Sequence, residues 1–434
     1  MKVHLLQIPA DGKHYEGEES NEMLDLHEPD VVPVSPVRYA LDVGLSGGGL
    51  WAAGKVGADV RLQCGKCLES FVFPAEVPDF AVQIELNKEG VPCFHHVEDA
   101  RIPLRVIAAE GHRWESEMER ELATLFSETM APLVRAVLLH QAHRSFFILS
   151  VHHSISDTKS LVFAIRDMLE ALSGKVLDQL PAIGSLEDFL APFQREDMAN
   201  MSVQELVPPQ AEYLDIYRKP DGSRPRISAL ELTPELTRAL RQRSRAEETT
   251  VHGALVAAAV EAARQLSDEL KQATINVCSA IDARKAIGAG EDVALLSGGC
   301  MISMEPQPHP FWETARIAKR LIAPSESPEA MSSLMGAFGQ FMSGKPDDGD
   351  IAAFMAGFKF EINISNLGIL PIETRFGDLT FERLWGPSIL AGFEVEQEIG
   401  VATINGSLSL LHTSYKPLPS LLELMEKLLA AACS

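Results

Sequence analysis

Ser145–Leu161 reads SFFILSVHHSISDTKSL, and the rest of the chain is arranged around it. Phe146 to Val151 is a short apolar run rich in β-forming residues, the composition of a buried strand. It ends in a polar knot, His152-His153-Ser154-Ile155-Ser156-Asp157. A helical pattern then begins, with Leu161, Val162, Ile165, Met168, Leu169 and Leu172 on one face and Gly174 placed as a C-terminal stop. A strand that hands two histidines and an aspartate to the turn before a helix makes a rigid platform, the kind of place where catalytic groups sit.

A histidine near its unperturbed pKa can take a proton from a hydroxyl, amine or thiol at neutral pH and return it later. Asp157, four residues beyond His153, either holds the turn closed or, through a basic partner, fixes the ring. The plainer alternative is a pair of core or surface histidines whose nitrogens are simply satisfied. HHSISDT resembles the HHxxxDG motif of the chloramphenicol-acetyltransferase-like superfamily, which includes condensation domains, polyketide-associated acyltransferases, wax-ester synthases and alcohol acetyltransferases. The resemblance implies that His153 is the general base, that Asp157 is structural, and that His152 supports the site. Thr158 stands where the motif has glycine. A side chain there is expected to narrow the acyl-carrier side of the channel without removing the base.

With 434 residues, the chain can form two or more domains around a large core. A hydrophobic content of 46% and a charged content of 23% are those of a globular protein. The net charge of -23 argues against a general nucleic-acid binder, which would carry a basic face. No apolar run is long enough to span a bilayer, and MKVHLLQIPADGKHYEGEES lacks the features of a signal peptide, so a cytoplasmic protein is expected.

Residues 1–86 have their own texture. Val37–Val43 alternates like a strand, Ser46-Gly47-Gly48-Gly49 reads as a hairpin turn, and Leu50–Leu62 contains a second alternating strand. Cys64-Gly65-Lys66-Cys67 offers a thiol pair. Two readings stand: half of a zinc site completed by Cys93 with His95 or His96, or two reduced, partly buried thiols. His95-His96-Val97-Glu98-Asp99 imitates the later motif, but its aspartate comes one residue early. The segment resembles the YceD family, linked to ribosomal RNA accumulation. Lys66 stands where that family tends to have arginine.

From residue 87 onward the superfamily resemblance continues. Gly90–Phe94, then Ile102–Val106, resembles its strand preceding the donor-side helix, Trp114–Glu128 has helical spacing, and Ala131-Pro132-Leu133-Val134-Arg135 resembles its entrance to the central strand. Lys175–Arg226 reads as a crossover linker carrying a short helix at Leu186–Leu190. Beyond it, Ile227–Leu232 is a strand, and Thr233-Pro234 opens a helix. Thr249–Ala258 resembles a superfamily helix. Ile275–Arg284 is a buried strand ending in Asp-x-Arg, and the resemblance pairs Arg284 with Asp157. Phe360–Gly368 is a strand ending in Asn-Leu-Gly, another superfamily landmark at the channel floor. There Asn366, with Gly368, either meets substrate or stabilises its own turn. Asn405-Gly406 marks a hairpin and Leu418–Ala432 a final helix.

The expected fold is therefore α/β (α+β): two chloramphenicol-acetyltransferase-like lobes with a central tunnel, behind a small β-rich segment. The expected divisions are 1–86, 87–174 carrying HHxxxD, 175–226 as crossover, and 227–434. The expected activity is acyl transfer, of groups other than aminoacyl, from an acyl-CoA or acyl-pantetheine thioester to a hydroxyl or amine acceptor. It calls for no bound cofactor or metal, and an acyl carrier protein is a candidate partner. The alternative is an inactive acyltransferase-like scaffold tied to ribosome assembly through residues 1–86. The superfamily's usual first strand and helix are missing ahead of residue 87. A fragment lacking 1–86 is accordingly expected to expose an apolar edge and aggregate.

Overall fold

The computed structural model describes residues 13–21, 31–46, 49–63, 70–84, 100–108, 111–126, 131–141, 143–178, 180, 183–193, 218, 222–344, 349–351, 354 and 357–434. The division expected at residue 86, the CxxC pair, Cys93, His95 and His96 lie outside these residues, as does most of the crossover. By compactness the chain forms two units, Met1–Val106 with Thr124–Leu138, and Ile107–Ala123 with Leu139–Ser434.

The first unit is an antiparallel sheet of β1 (Lys13–Glu19), β2 (Val31–Pro33), β3 (Val37–Ser46), β4 (Gly49–Gln63) and β5 (Ser70–Ile84). The order is β1-β3-β4-β2, with β5 also on β4. Strand alternation buries Leu41 and Val43 against Tyr15, Tyr39, Ala52 and Val56. Gly54 has φ +152°, and a Cβ there would stand 2.1 Å from the Ala40 carbonyl, so β4 can bulge at this point only with glycine. Pro74 and Pro78 are tolerated because β5 is an edge strand.

Along the chain follow β6 (Leu104–Ala108), α1 (Trp114–Ala123) and β7 (Val134–His140). The helix is shorter than its spacing predicts. The carbonyls of Thr124 and Leu125 are taken by the Arg135 guanidinium at 2.7 and 3.1 Å instead of by a further helical turn.

The second unit holds β8 (Ser145–Val151), α2 (Thr158–Leu172), α3 (Leu186–Leu190), β9 (Arg226–Glu231), α4 (Pro234–Ala246), α5 (Val251–Leu266), β10 (Ile275–Asp282), α6 (Arg284–Ile287), β11 (Ser297–Met304), α7 (Phe311–Ile322) and α8 (Pro328–Ser343). It ends with β12 (Ile362–Ile369), the short pair β13 (Arg375–Phe376) and β14 (Leu379–Thr380), β15 (Gln397–Ile404), β16 (Ser407–Ser414) and α9 (Leu421–Cys433). Its main sheet runs β11-β10-β12-β15-β16-β9, with β10, β12 and β15 parallel and the other pairs antiparallel.

The sheet's two faces differ. Ile275, Val277, Ile362, Ile364, Ile399 and Val401 are fully buried in a core shared with α5, α7 and α9. Alanines let α5 approach closely, and a Cβ on Gly253 would meet the Ala315 carbonyl at 2.6 Å. The opposite face carries Cys278, Asn363, Ser365, Glu398 and Gly400. A Cβ on Gly400 would lie 1.9 Å from the Pro387 carbonyl, so the segment through Pro387 rests directly on this glycine. The β15–β16 hairpin turns at Asn405 and Gly406, φ 52° and 82°, the left-handed pair that matches strand twist.

Candidate functional site

β8 delivers the histidine pair. Phe146 stacks on Trp114, which stacks in turn on Trp385, each at 5.7 Å, and this anchors the strand. The chain then turns, with the Ile155 N–H bonded to the His152 carbonyl at 3.2 Å. Asp157 caps α2 by accepting from the Ser160 N–H at 2.9 Å.

His153 Nδ1 lies 2.9 Å from the Ser156 carbonyl oxygen. A carbonyl only accepts, so Nδ1 is the donor, and the tautomer that suits this contact leaves the lone pair on Nε2. His152 Nδ1 is instead 2.6 Å from Ser154 Oγ on the exposed side of the turn.

Asp157 is 4% exposed and uses its oxygens fully. Arg284 donates from Nη1 to Oδ2 at 2.8 Å and from Nη2 to Oδ1 at 3.0 Å, and the Leu296 N–H reaches Oδ2 at 2.8 Å. Arg284 also donates to Asp282 Oδ1 at 3.1 Å and to Ser160 Oγ at 2.7 Å. Burial pulls the guanidinium pKa down, but the bonds and charges of Asp157 and Asp282 outweigh it and hold the pKa above its ordinary value. Lys159 binds the free oxygen of Asp282 at 2.7 Å. Burial pushes the Asp282 carboxyl up, and Lys159 with Arg284 bring it below the usual carboxylate range. Two carboxylates and two cations thus stitch the β8–α2 turn to β10 and α6.

Ser160 is a member of this network that the sequence reading passes over. It donates to the Ala294 carbonyl at 2.7 Å and accepts from the Ala294 N–H at 3.0 Å. Its signal was its place three residues after an N-cap aspartate, where a helix-neutral hydroxyl has local work to do.

A cavity of about 580 Å³ opens beside the turn. His153, Asp157, Thr158 and Lys159 form one wall; Met331, Leu334, Met335, Phe338, Phe358 and Phe360 form an apolar one. Its floor is the polar face of the sheet, with Cys278, Asn363, Ser365 and Asn366. Burial, the largest cause, pushes the Cys278 thiol up to about 12, which leaves it un-ionised. Asn366 Oδ1 accepts from the Gly368 N–H at 2.9 Å, closing a turn in which Gly368 has φ +69°. The amide oxygen is therefore committed to its own backbone. Among the described residues, no group of three or more His, Cys, Asp or Glu could hold a metal ion.

A family model described as the C-terminus of phthiocerol/phthiodiolone dimycocerosyl transferase matches residues 221–296. The chain is similar to the structure of polyketide synthase associated protein 5 from Mycobacterium tuberculosis. The two share 14% identity at TM-score 0.50, over 81% of this chain and 86% of that one. The first condensation domain of the CDA synthetase is 17% identical at TM-score 0.49, over 86% of this chain and 83% of that one. The epimerization domain from the third module of tyrocidine synthetase B is 15% identical at TM-score 0.48, over 77% and 81%. No curated protein sequence matches the chain. At these identities the likeness is one of fold. The mixed α/β architecture is that of the chloramphenicol-acetyltransferase-like class. No helix among the described residues is long and apolar enough to cross a membrane.

Proposed function

We propose that the protein is an acyltransferase moving an acyl group from a thioester to a hydroxyl or amine acceptor, with His153 as general base. The observation that carries this reading is the ring itself: Nδ1 is held by the Ser156 carbonyl, Nε2 keeps its lone pair, and the ring lines a cavity with a long apolar wall. The match of residues 221–296 to a mycocerosyl transferase model supports the same reaction class.

In this mechanism Nε2 takes the acceptor's proton as the acceptor oxygen or nitrogen attacks the thioester carbonyl. The tetrahedral intermediate collapses, the C–S bond breaks, and the thiolate leaves with the proton returned by Nε2. A thioester is already activated, so the scheme needs no acyl-enzyme. Asp157 and Arg284 are positioning residues, as is His152. Thr158 narrows the channel. The donor's thiol is CoA or the pantetheine of a carrier protein, and the working compartment is the cytoplasm.

The test is a thiol-release screen with acyl-CoAs of graded length against panels of alcohols and amines. His153→Ala is expected to lower kcat by roughly 10²–10⁴-fold, while His152→Ala keeps measurable turnover. A folded His153→Ala protein with near-normal kcat would show that another group is the base.

A further inference from the structure

The approach to β15 reads Glu394-Val395-Glu396-Gln397-Glu398, three carboxylates at alternate positions. The first is held by Arg218 at 2.9 Å and Lys416 at 3.0 Å. The second accepts from the Ala391 N–H at 3.0 Å and the Gly392 N–H at 2.9 Å. Glu398, at 0% exposure, has no such partner: neither carboxyl oxygen meets a hydrogen-bonding group.

Two of its neighbours are also unsatisfied. Asn363 is the register partner of Glu398 on the adjacent parallel strand, so both side chains project from the same face. Asn363 Oδ1 and Ser365 Oγ are buried without a hydrogen-bond partner, and both residues line the cavity. Buried polar groups left unpaired are costly and rare; here Asn363 and Ser365 line a ligand-sized cavity, and Glu398 lies buried beside Asn363 on the next strand, just behind that lining. The set is rich in acceptors: an amide oxygen, a hydroxyl and a carboxyl. Its complement is a compact donor-rich cation, and a net charge of -23 draws cations to the chain.

We propose that Asn363, Ser365 and Glu398 are the acceptor-recognition subsite, and that the acceptor carries a primary ammonium group that docks there. This rests on the acyl-transfer reading only for the ligand's being the acceptor. Burial, then the nearby Glu396 charge, push the Glu398 carboxyl well above its ordinary range; Ser365 and Asn363 pull the other way without reaching an oxygen in hydrogen-bond geometry. Burial thus favours the protonated carboxyl, and an arriving ammonium favours the charged one, so binding is expected to release a proton.

The test compares hexanol with aminopentanol, in which ammonium replaces the terminal methyl, as acceptors for the full chain with the acyl-CoA found active in the screen. The intact protein is expected to favour aminopentanol in kcat/KM by about 10- to 100-fold. Glu398→Gln brings that ratio towards one. Ser365→Ala, which leaves the carboxyl in place, lowers it as well. Titrating aminopentanol calorimetrically in two buffers of different ionisation enthalpy should report a proton released on binding, and Glu398→Gln should abolish it. Equal kcat/KM for the two alcohols, or an undiminished preference in Glu398→Gln, would overturn the proposal and leave the cluster as a water site. If neither alcohol reacts, acyl transfer to alcohols fails separately. The calorimetry then decides alone: proton-coupled binding lost in Glu398→Gln sustains the cation subsite, and absence of binding overturns it.

Discussion

His153 and Asp157 sit four residues apart and are held by opposite means. The ring takes its tautomer from one main-chain carbonyl, whereas the carboxylate is fixed by two guanidinium bonds and two backbone N–H groups. Asp157 therefore fixes the shape of its turn. Asp157→Asn turns an amide group towards Arg284, and Arg284→Ala leaves a carboxylate buried and unpaired. Each single change is expected to cost about 3–5 kcal/mol, as for other broken buried pairs. Because both singles break one contact, the double variant should cost clearly less than their sum. A urea-denaturation double-mutant cycle measures this, and strict additivity would mean that the pair does not act as a unit. Motif and resemblance made His153, Asp157 and Arg284 legible in the sequence. Glu398 was not, because alternating glutamates look like a solvated strand face. Strand periodicity says which residues share a face and nothing about what covers it.

At the scale of elements, the readable pieces were those whose signals are local. β8, the Asp157 cap and α2 follow one another within a short stretch, and the Asn405–Gly406 turn announces its own hairpin. Contacts set by distant partners were hidden. The α1 stop at Ala123 reflects a guanidinium ten or more residues away. The junction of Gly400 with Pro387 is equally non-local, and it argues a prediction. Gly400→Ala places a methyl group against main chain that a side-chain rotation cannot clear. The segment over β15 must lift, straining the Ala391 and Gly392 bonds to Glu396. Overpacking of this kind costs about 1–3 kcal/mol. Denaturation should show that loss, with weaker binding of cavity ligands; an unchanged midpoint would mean the contact is easily relieved.

Over the whole molecule, buried ionisable groups set opposing pH trends. Burial pushes Glu396 from 4.5 up to about 7, so the folded state keeps a proton that the unfolded chain releases. Its contribution is full below pH 4.5 and is lost as the pH rises to about 7. Burial pushes His412 from 6.5 down to about 4, so its contribution is full above pH 6.5 and is lost as the pH falls to about 4. The two partly cancel in the intact protein. Glu396→Gln removes one side, and its stability relative to the intact protein should climb between pH 4.5 and about 7. Paired urea titrations across that window measure the change; a constant difference would show that Glu396 does not titrate there. The main sheet also governs how such a protein can diverge. Along β10 and β12, Val277, Ile362 and Ile364 face the helices, while Cys278, Asn363 and Ser365 face the cavity. Neighbouring codons therefore answer to different demands, and substitutions on one side of the plate can reshape the cavity while the other side goes on holding the fold.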